Sequence, residues 1–256
     1  MKGRWGLGVG GVLLAVPLVI AVVGPWFVGE VERGRAFVDR GVLGTDFVGR
    51  DVLELVLGGG RSVVGIALVA TGVSYAVGVP LALVAAMARR RWLDEVVMRP
   101  LDVVLAVPSL LVLILVAGIA PRGYGTVVVV VAVVTVPDLV RVVRAAALEV
   151  ASRPALEAMR LQGETRRRLA FGYVVPAVAP TLVADLGVRI TTSLYLVASA
   201  GFLGVGVAPD AADWAVMVDR NQAGLFLIPS AVVVPALLII AWSVGVNLVF
   251  DRAVRR

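Results

Sequence analysis

The sequence predicts an all-α polytopic membrane protein with six transmembrane helices, and three observations predict it. The 256 residues are 60% hydrophobic and 16% charged, with a mean hydropathy of +0.98, whereas soluble domains are roughly 45–50% apolar. The apolar residues collect in uncharged runs that match or exceed the roughly 20 residues a helix needs to cross a bilayer. Lys and Arg collect between alternate runs, the pattern expected of cytoplasmic loops. That distribution makes lipid, and not nucleic acid, the partner that explains the net charge of +6. Cysteine and histidine are both absent, which excludes disulfides, Cys/His zinc sites and His-based catalytic triads.

The first run, Trp5 to Gly29, follows Lys2 and Arg4 and is uncharged for 25 residues. It is longer than the apolar core of a signal peptide, about 7–15 residues, and is read as a retained span. Gly6, Gly8, Gly10 and Gly11 offer a close-packing face on it. Residues 30–61 hold five Arg and six acidic residues, a balance suited to the outside. Gly-Thr-Asp (44–46) and Gly-Arg-Asp (49–51) read as turn and helix-start signals, with Asp51 capping a short interfacial helix.

Ser62 to Ala88 is uncharged for 27 residues and ends on Arg89, Arg90 and Arg91, a cytoplasmic end. A third span is expected over Val103 to Pro121, bent near its start by Pro108. A tight external turn leads to a fourth. Its apolar run, Gly123 to Pro137, has only 15 residues, so it spans only if the helix continues through Asp138 toward Arg141 and Arg144, whose side chains can snorkel. One fifth span from about Pro180 to Leu203 keeps the basic residues consistent, and Asn221 to Phe250 is uncharged for 30 residues.

With both termini cytoplasmic, 16 of 24 Lys and Arg fall inside, seven outside, and Arg189 within a span. The expected organisation is an N-terminal span (1–29), an extracytoplasmic segment (30–61), a core of five helices (62–251) containing a cytoplasmic loop (141–176), and a tail (252–256). The polar island between spans four and five must therefore meet something in the cytoplasm. Within it, residues 155–162 read as a short amphipathic helix, and Gly163 lets the backbone reverse. Asp185 and Arg189 lie i,i+4 on one face of span five and can pair. Charges at that depth face a protein interior or a wet cavity, so a structural pair and a contact with a transported solute are both open.

The island also carries a spacing: Glu157-Ala158-Met159, three residues, Gly163, nine residues, then Tyr173-Val174-Val175-Pro176. This is similar to the E-A-A-x3-G-x9-I-x-L-P loop of ABC-importer permease subunits. LGTDFVGRDVL (43–53), GGGRS (58–62), GVPLALVA (78–85), WLDEVVMRPLDVVLAVPSLL (92–111), Pro137 with Arg141 and Arg144, and FLGVGVAP followed by Trp214 and Met217 occur in the order found in the dipeptide/oligopeptide/nickel branch of that family. The resemblance covers about residues 40–251.

The resemblance implies a type I ABC-importer permease fold in a bacterial cell membrane. It implies a second homologous permease subunit, two ABC ATPase subunits below and an extracytoplasmic solute-binding protein above. No cofactor is expected on this chain, and ATP and Mg are used by the partner ATPases. In the family the loop is a coupling helix that docks in a groove on the ATPase. Here that assigns Ala155, Leu156, Met159 and Leu161 to insertion, Glu157 to a basic partner, and Ala158, Gly163 and Pro176 to the motif frame. Met159, Tyr173 and Val175 depart from the motif but stay apolar. Val197 stands where close relatives often carry Glu. Di- or oligopeptides are the expected cargo, with nickel or another small solute as the alternative. A stand-alone secondary transporter or channel is the rival class, and it has no need of a groove-docking helix. No phosphate-binding G-x-x-x-x-G-K-[ST] loop is present, so ATP hydrolysis is not expected in this chain.

Overall fold

Asp51 starts the helix against which the rest of the bundle is assembled. Its carboxylate accepts hydrogen bonds from the amides of Leu53 (2.7 Å) and Glu54 (3.4 Å), satisfying two donors that a helix start leaves unpaired. In this computed structural model, which describes residues 2–29, 32–88, 91–121, 123–206, 208 and 210–254, the regular elements are helices. They are α1 (Lys2–Val23), continued by a 3-10 turn (Gly24–Phe27), α2 (Val52–Ala86), α3 (Arg91–Ala106), α4 (Ser109–Ile119), α5 (Tyr124–Ala151), α6 (Pro154–Leu161), α7 (Arg166–Leu169), α8 (Val175–Phe202), α9 (Trp214–Arg220) and α10 (Ser230–Val254). Five of the helical runs are long and apolar enough to cross a membrane, and α3 with α4 makes a sixth if that bent pair is one span. Arg89, Arg90, Arg122, Arg255 and Arg256 of the topology argument lie outside the described residues, as do Glu30, Val207 and Pro209.

Several boundaries differ from the sequence expectation. Asp51 does not cap a separate interfacial helix: α2 runs unbroken for 35 residues through Gly58, Gly59 and Gly60, so the division at residue 61 falls inside a helix. The glycines serve packing instead. A Cβ on Gly60 would lie 2.7 Å from Cη2 of Trp214, and one on Gly59 3.1 Å from the Asp213 amide nitrogen. Trp214, fully buried, donates its indole N–H to the Val56 carbonyl at 2.8 Å. The segment carrying α9 is thereby fixed to α2.

The third span is broken rather than bent. Pro108 sits at φ −56°, ψ 130°, a conformation no helix continues through, and a proline also drives the residue before it out of the helical region. α3 and α4 consequently meet at 80°. The fourth span continues past Pro137 to Ala151, as its short apolar run requires. Arg141 and Arg144 at its lower end pair across to α3: Arg141 with Asp102 at 2.6 Å and Arg144 with Asp94 through two contacts of 2.5 and 2.6 Å. These pairs brace α3 against α5. The fifth span starts earlier than Pro180. α7, a π turn over Ala170–Val174 and α8 form one helical run, Arg166–Phe202, so Pro176 lies within it and the loop of 141–176 shrinks to residues 152–165. The sixth span begins at Ser230, since residues 222–224 form a separate 3-10 turn.

Close approach and hydroxyl pairs hold the helices together, as expected where lipid supplies no hydrophobic force between them. A Cβ on Gly245 of α10 would stand 2.8 Å from the Leu14 Cα of α1, and one on Gly10 2.9 Å from Leu248 Cβ, whereas Gly8 and Gly11 face open space. The Ser74 and Thr135 hydroxyls meet at 2.7 Å between α2 and α5, and Thr71 donates to Ser193 at 2.9 Å between α2 and α8. Just before α2, Arg50 makes a 2.7 Å ion pair with Asp46 and also donates to the Asp210 carbonyl, while the Phe47 amide donates to Asn221 Oδ1 at 2.9 Å. These bonds tie the segment before α2 to both sides of α9.

Gly60→Val, which drives a side chain into Trp214, is expected to destabilise the detergent-solubilised subunit by about 1–3 kcal/mol, the cost of overpacking a filled site. Gly65→Val, at a glycine with nothing within 4 Å of its absent Cβ, is expected to change the thermal transition little. Equal transitions for the two variants would contradict the packing role assigned to Gly60.

Candidate functional site

The polar island folds as helix, turn, helix. α5 closes at Ser152, whose amide donates to the Leu148 carbonyl at 3.0 Å. Arg153 is extended (φ −70°, ψ 137°), and Pro154 then occupies the first turn of α6, where the missing N–H leaves no bond unmade. The end of α6 is set by Gly163 at φ +82°. Its amide donates to Arg160 O (3.1 Å) and that of Glu164 to Met159 O (3.2 Å), the paired bonds of a Schellman stop. Nothing lies within 4 Å of a Cβ placed on Gly163, so glycine is required here for its left-handed backbone and not for space. Thr165 restarts the chain by accepting from the Arg168 amide, and Arg168 pairs with Glu164 at 3.0 Å.

Two of the residues assigned to groove insertion turn inward. Leu156 is 0% exposed and packs with Leu83, Ala86, Ala147, Val150, Leu169, Val174 and Val178 at the lower ends of α2, α5 and the fifth span. Met159 is half-buried against the same cluster. An amphipathic helix needs one apolar stripe for its own body, and these two residues supply it. Leu156 therefore anchors α6 to this subunit and is not available to a partner. Ala155, Glu157, Ala158 and Leu161 face outward, Leu161 with 84% of its surface exposed. Among the described residues Glu157 has no hydrogen bond or ion pair. Pro176 is removed from this surface, in the first turn of α8.

The second constellation is intramembrane. Asp185 and Arg189 do pair: Arg189 Nε lies 3.0 Å from Asp185 Oδ2 and Nη2 3.1 Å from Oδ1. Both side chains are 8% exposed. Two residues not singled out from the sequence complete the group. Tyr75 of α2 donates its hydroxyl to Asp185 Oδ2 at 2.9 Å, and Asp138 of α5 stands 3.9 Å from Arg189 Nη1. Thr71, Ser74 and Tyr75, at i, i+3 and i+4 in an otherwise apolar run, were the available signal for α2. Asp138 was visible as the acid that ends the apolar run of the fourth span, but which basic group it meets depends on how α5 packs on α8. Val197 is buried in the main apolar core, which its side chain suits.

Comparisons with known proteins agree with this architecture. The family model described as "Binding-protein-dependent transport system inner membrane component" matches residues 78–256. The glutathione transport system permease protein GsiD of Pectobacterium atrosepticum is 30% identical over 209 residues, covering 82% of this chain and 69% of that protein. The di/tripeptide transport system permease protein DppC of Pseudomonas aeruginosa is 32% identical over 221 residues, covering 86% and 72%. Among solved structures, an inward-facing MetNI methionine ABC transporter superposes with a TM-score of 0.63 at 18% identity over 78% of this chain and 95% of that one. An amino acid ABC transporter crystallised with histidines gives 0.59 at 18% identity, over 76% and 90%. With the type I importer fold and the matched family model together, the chain belongs to the inner membrane components of binding-protein-dependent transport systems, as a permease subunit of an ABC importer.

Proposed function

We propose that this subunit imports short peptides, working beside a second homologous permease, and that α6 is where the ATPases drive it. The observation that carries the drive is the geometry of α6. A rigid two-turn helix is held to its own bundle by Leu156, tied at both ends to spans, and presents Ala155, Glu157, Ala158 and Leu161 outward. An apolar tip beside an unpaired carboxylate suits a groove with a basic rim. The positive-inside count supports a cytoplasmic position for this surface and for both termini. A stand-alone carrier would have no use for it. ATP binding would close the ATPases, displace α6, and turn the spans attached to it as rigid bodies, opening the pore toward the binding protein.

The peptide assignment is supported by the two relatives above, whose names give glutathione and di/tripeptides as their solutes. Identifying what the cognate binding protein captures tests it: capture of a metal ion or another small solute in place of short peptides would replace the cargo and keep the subunit's role.

For the complete complex in proteoliposomes, Glu157→Ala combined with Gly163→Pro is expected to leave assembly intact and to abolish peptide uptake while ATP hydrolysis persists. Normal uptake by that variant would remove α6 from the coupling path. Leu156→Ala is expected to act differently, lowering the stability of the subunit by about 2–5 kcal/mol through the cavity it leaves, read as an earlier thermal transition.

Asp185→Ala and Arg189→Ala each leave a buried charge without its main partner. Each is expected to reduce folded yield more than the double replacement does, because stranding one ion costs more than deleting the pair. Equal loss of transport in all three, at equal yield, would instead assign the pair to solute contact.

A further inference from the structure

We propose that Asp138 lines the solute path at mid-membrane and gives it a preference for cationic over anionic groups, for example the ammonium end of a peptide. The inference rests on the permease reading and assigns a specificity-determining residue within it. Asp138 lies near the middle of the 28-residue α5, so at 1.5 Å per residue it is about 20 Å from either end of the helix. Its side chain is nevertheless 56% exposed in the single subunit. A charged group exposed to hydrocarbon at that depth is strongly disfavoured, and intramembrane carboxylates face protein or water. Around it on α5, Thr135, Leu139 and Val140 are buried against the subunit's own helices. Val134 and Val142, one turn to either side on the same face as Asp138, are half-buried and exposed respectively. From Val134 toward the C-terminal end of α5 the open side is the one that carries the acid, whereas nearer the start of the helix Val129 and Val133 open the opposite face.

The sign of the site follows from how Arg189 is used. Asp185 takes its guanidinium through contacts of 3.0 and 3.1 Å on the same helix, while Asp138 is reached only at 3.9 Å. Arg189 is also too deeply buried to meet a solute carboxylate. Two carboxylates share one guanidinium, leaving a formal charge of −1, and the exposed member is the acid. Arg189 acts as a positioning residue that holds Asp138 in place.

The chain has no native cysteine, so a single one reports its own surroundings. In the complete complex, Val134→Cys would be reacted with aminoethyl and with sulfonatoethyl methanethiosulfonate, modification of this chain being read by mass and rates normalised to a free thiol. The cationic reagent is expected to be favoured by at least about tenfold, as a unit charge about 6 Å away would impose even in a water-like dielectric. Adding Asp138→Asn, with assembly verified by size exclusion, is expected to remove that preference. Val142→Cys serves in the same way if Val134→Cys does not assemble. Failure of an assembled cysteine variant to react with either reagent, or a ratio that Asp138→Asn leaves unchanged, overturns the proposal. The labelling does not depend on the cargo: if the wild-type complex takes up no Ala-Ala while the charge preference holds, the peptide reading fails and this inference stands. Where uptake occurs, Asp138→Asn is expected to narrow the ratio of Lys-Ala to Glu-Ala transport by severalfold.

Discussion

The line of polar contacts along α2 is the constraint from which the rest of the bundle follows. In hydrocarbon a polar side chain must find its partner within the protein, and α2 offers Thr71, Ser74 and Tyr75 on about one turn. Thr71 meets Ser193 and Tyr75 meets Asp185, both on α8, while Ser74 meets Thr135 on α5. Three bonds to two helices fix the height and rotation of both against α2. Apolar side chains alone would tolerate sliding, since a Val against a Val is little changed by a small shift. Each such hydrogen bond in a membrane contributes only about 0.6 kcal/mol on average, so their value here lies in register more than in strength. Once register is set, Arg189 must fall between Asp185 and Asp138.

The same helix joins the two faces of the protein. Its N-terminal end is capped by Asp51 and held to α9 by Trp214, and its C-terminal end contributes Leu83 and Ala86 to the cluster that receives Leu156. α6 is thereby seated on α2, α5 and the fifth span together. A push on α6 is borne by the packed base of the bundle, not by a flexible loop. The ion pairs from Asp94 and Asp102 of α3 to Arg144 and Arg141 of α5 extend that body to a fourth helix. Exposed pairs are weak singly, but Arg144 with Asp94 is bidentate and largely shielded, which gives it directional hold.

Features written in local chemistry were legible in the sequence. Asp51 as a cap, Gly163 as a reversal and the i,i+4 reach of Arg189 to Asp185 each depend on neighbours within four residues. Most spans were legible from their lack of charge. Features decided by distant residues were not. Gly58-Gly59-Gly60 looks like a break until Trp214 is seen filling the space above it, and α2 then runs straight through. Pro108 announced a bend, but an 80° break depends on where α3 is held by its arginine partners. Leu156 and Leu161 are both apolar residues on a short helix. Only the position of α6 beneath the bundle sends the first inward and leaves the second outward. Tyr75 and Asp138 needed the packing of α2 and α5 on α8 before they joined any group.

The contrast between the two bonds of Arg189 bears on how motion reaches the path. The Asp185 pair lies within one helix and moves with it as a unit. The Asp138 contact crosses from α8 to α5 and is already near the limit of an ion pair at 3.9 Å. A displacement of α6 acts on both helices, because α5 leads into it and the fifth span leads out. If it turns α5 relative to α8, the intrahelical pair is preserved and the interhelical distance changes. The field at Asp138 then grows more negative as Arg189 recedes, since Coulomb attraction falls with separation. A carboxylate placed across that joint would strengthen or weaken its hold on a passing cation in step with the spans, whereas one on the same helix as its arginine could not.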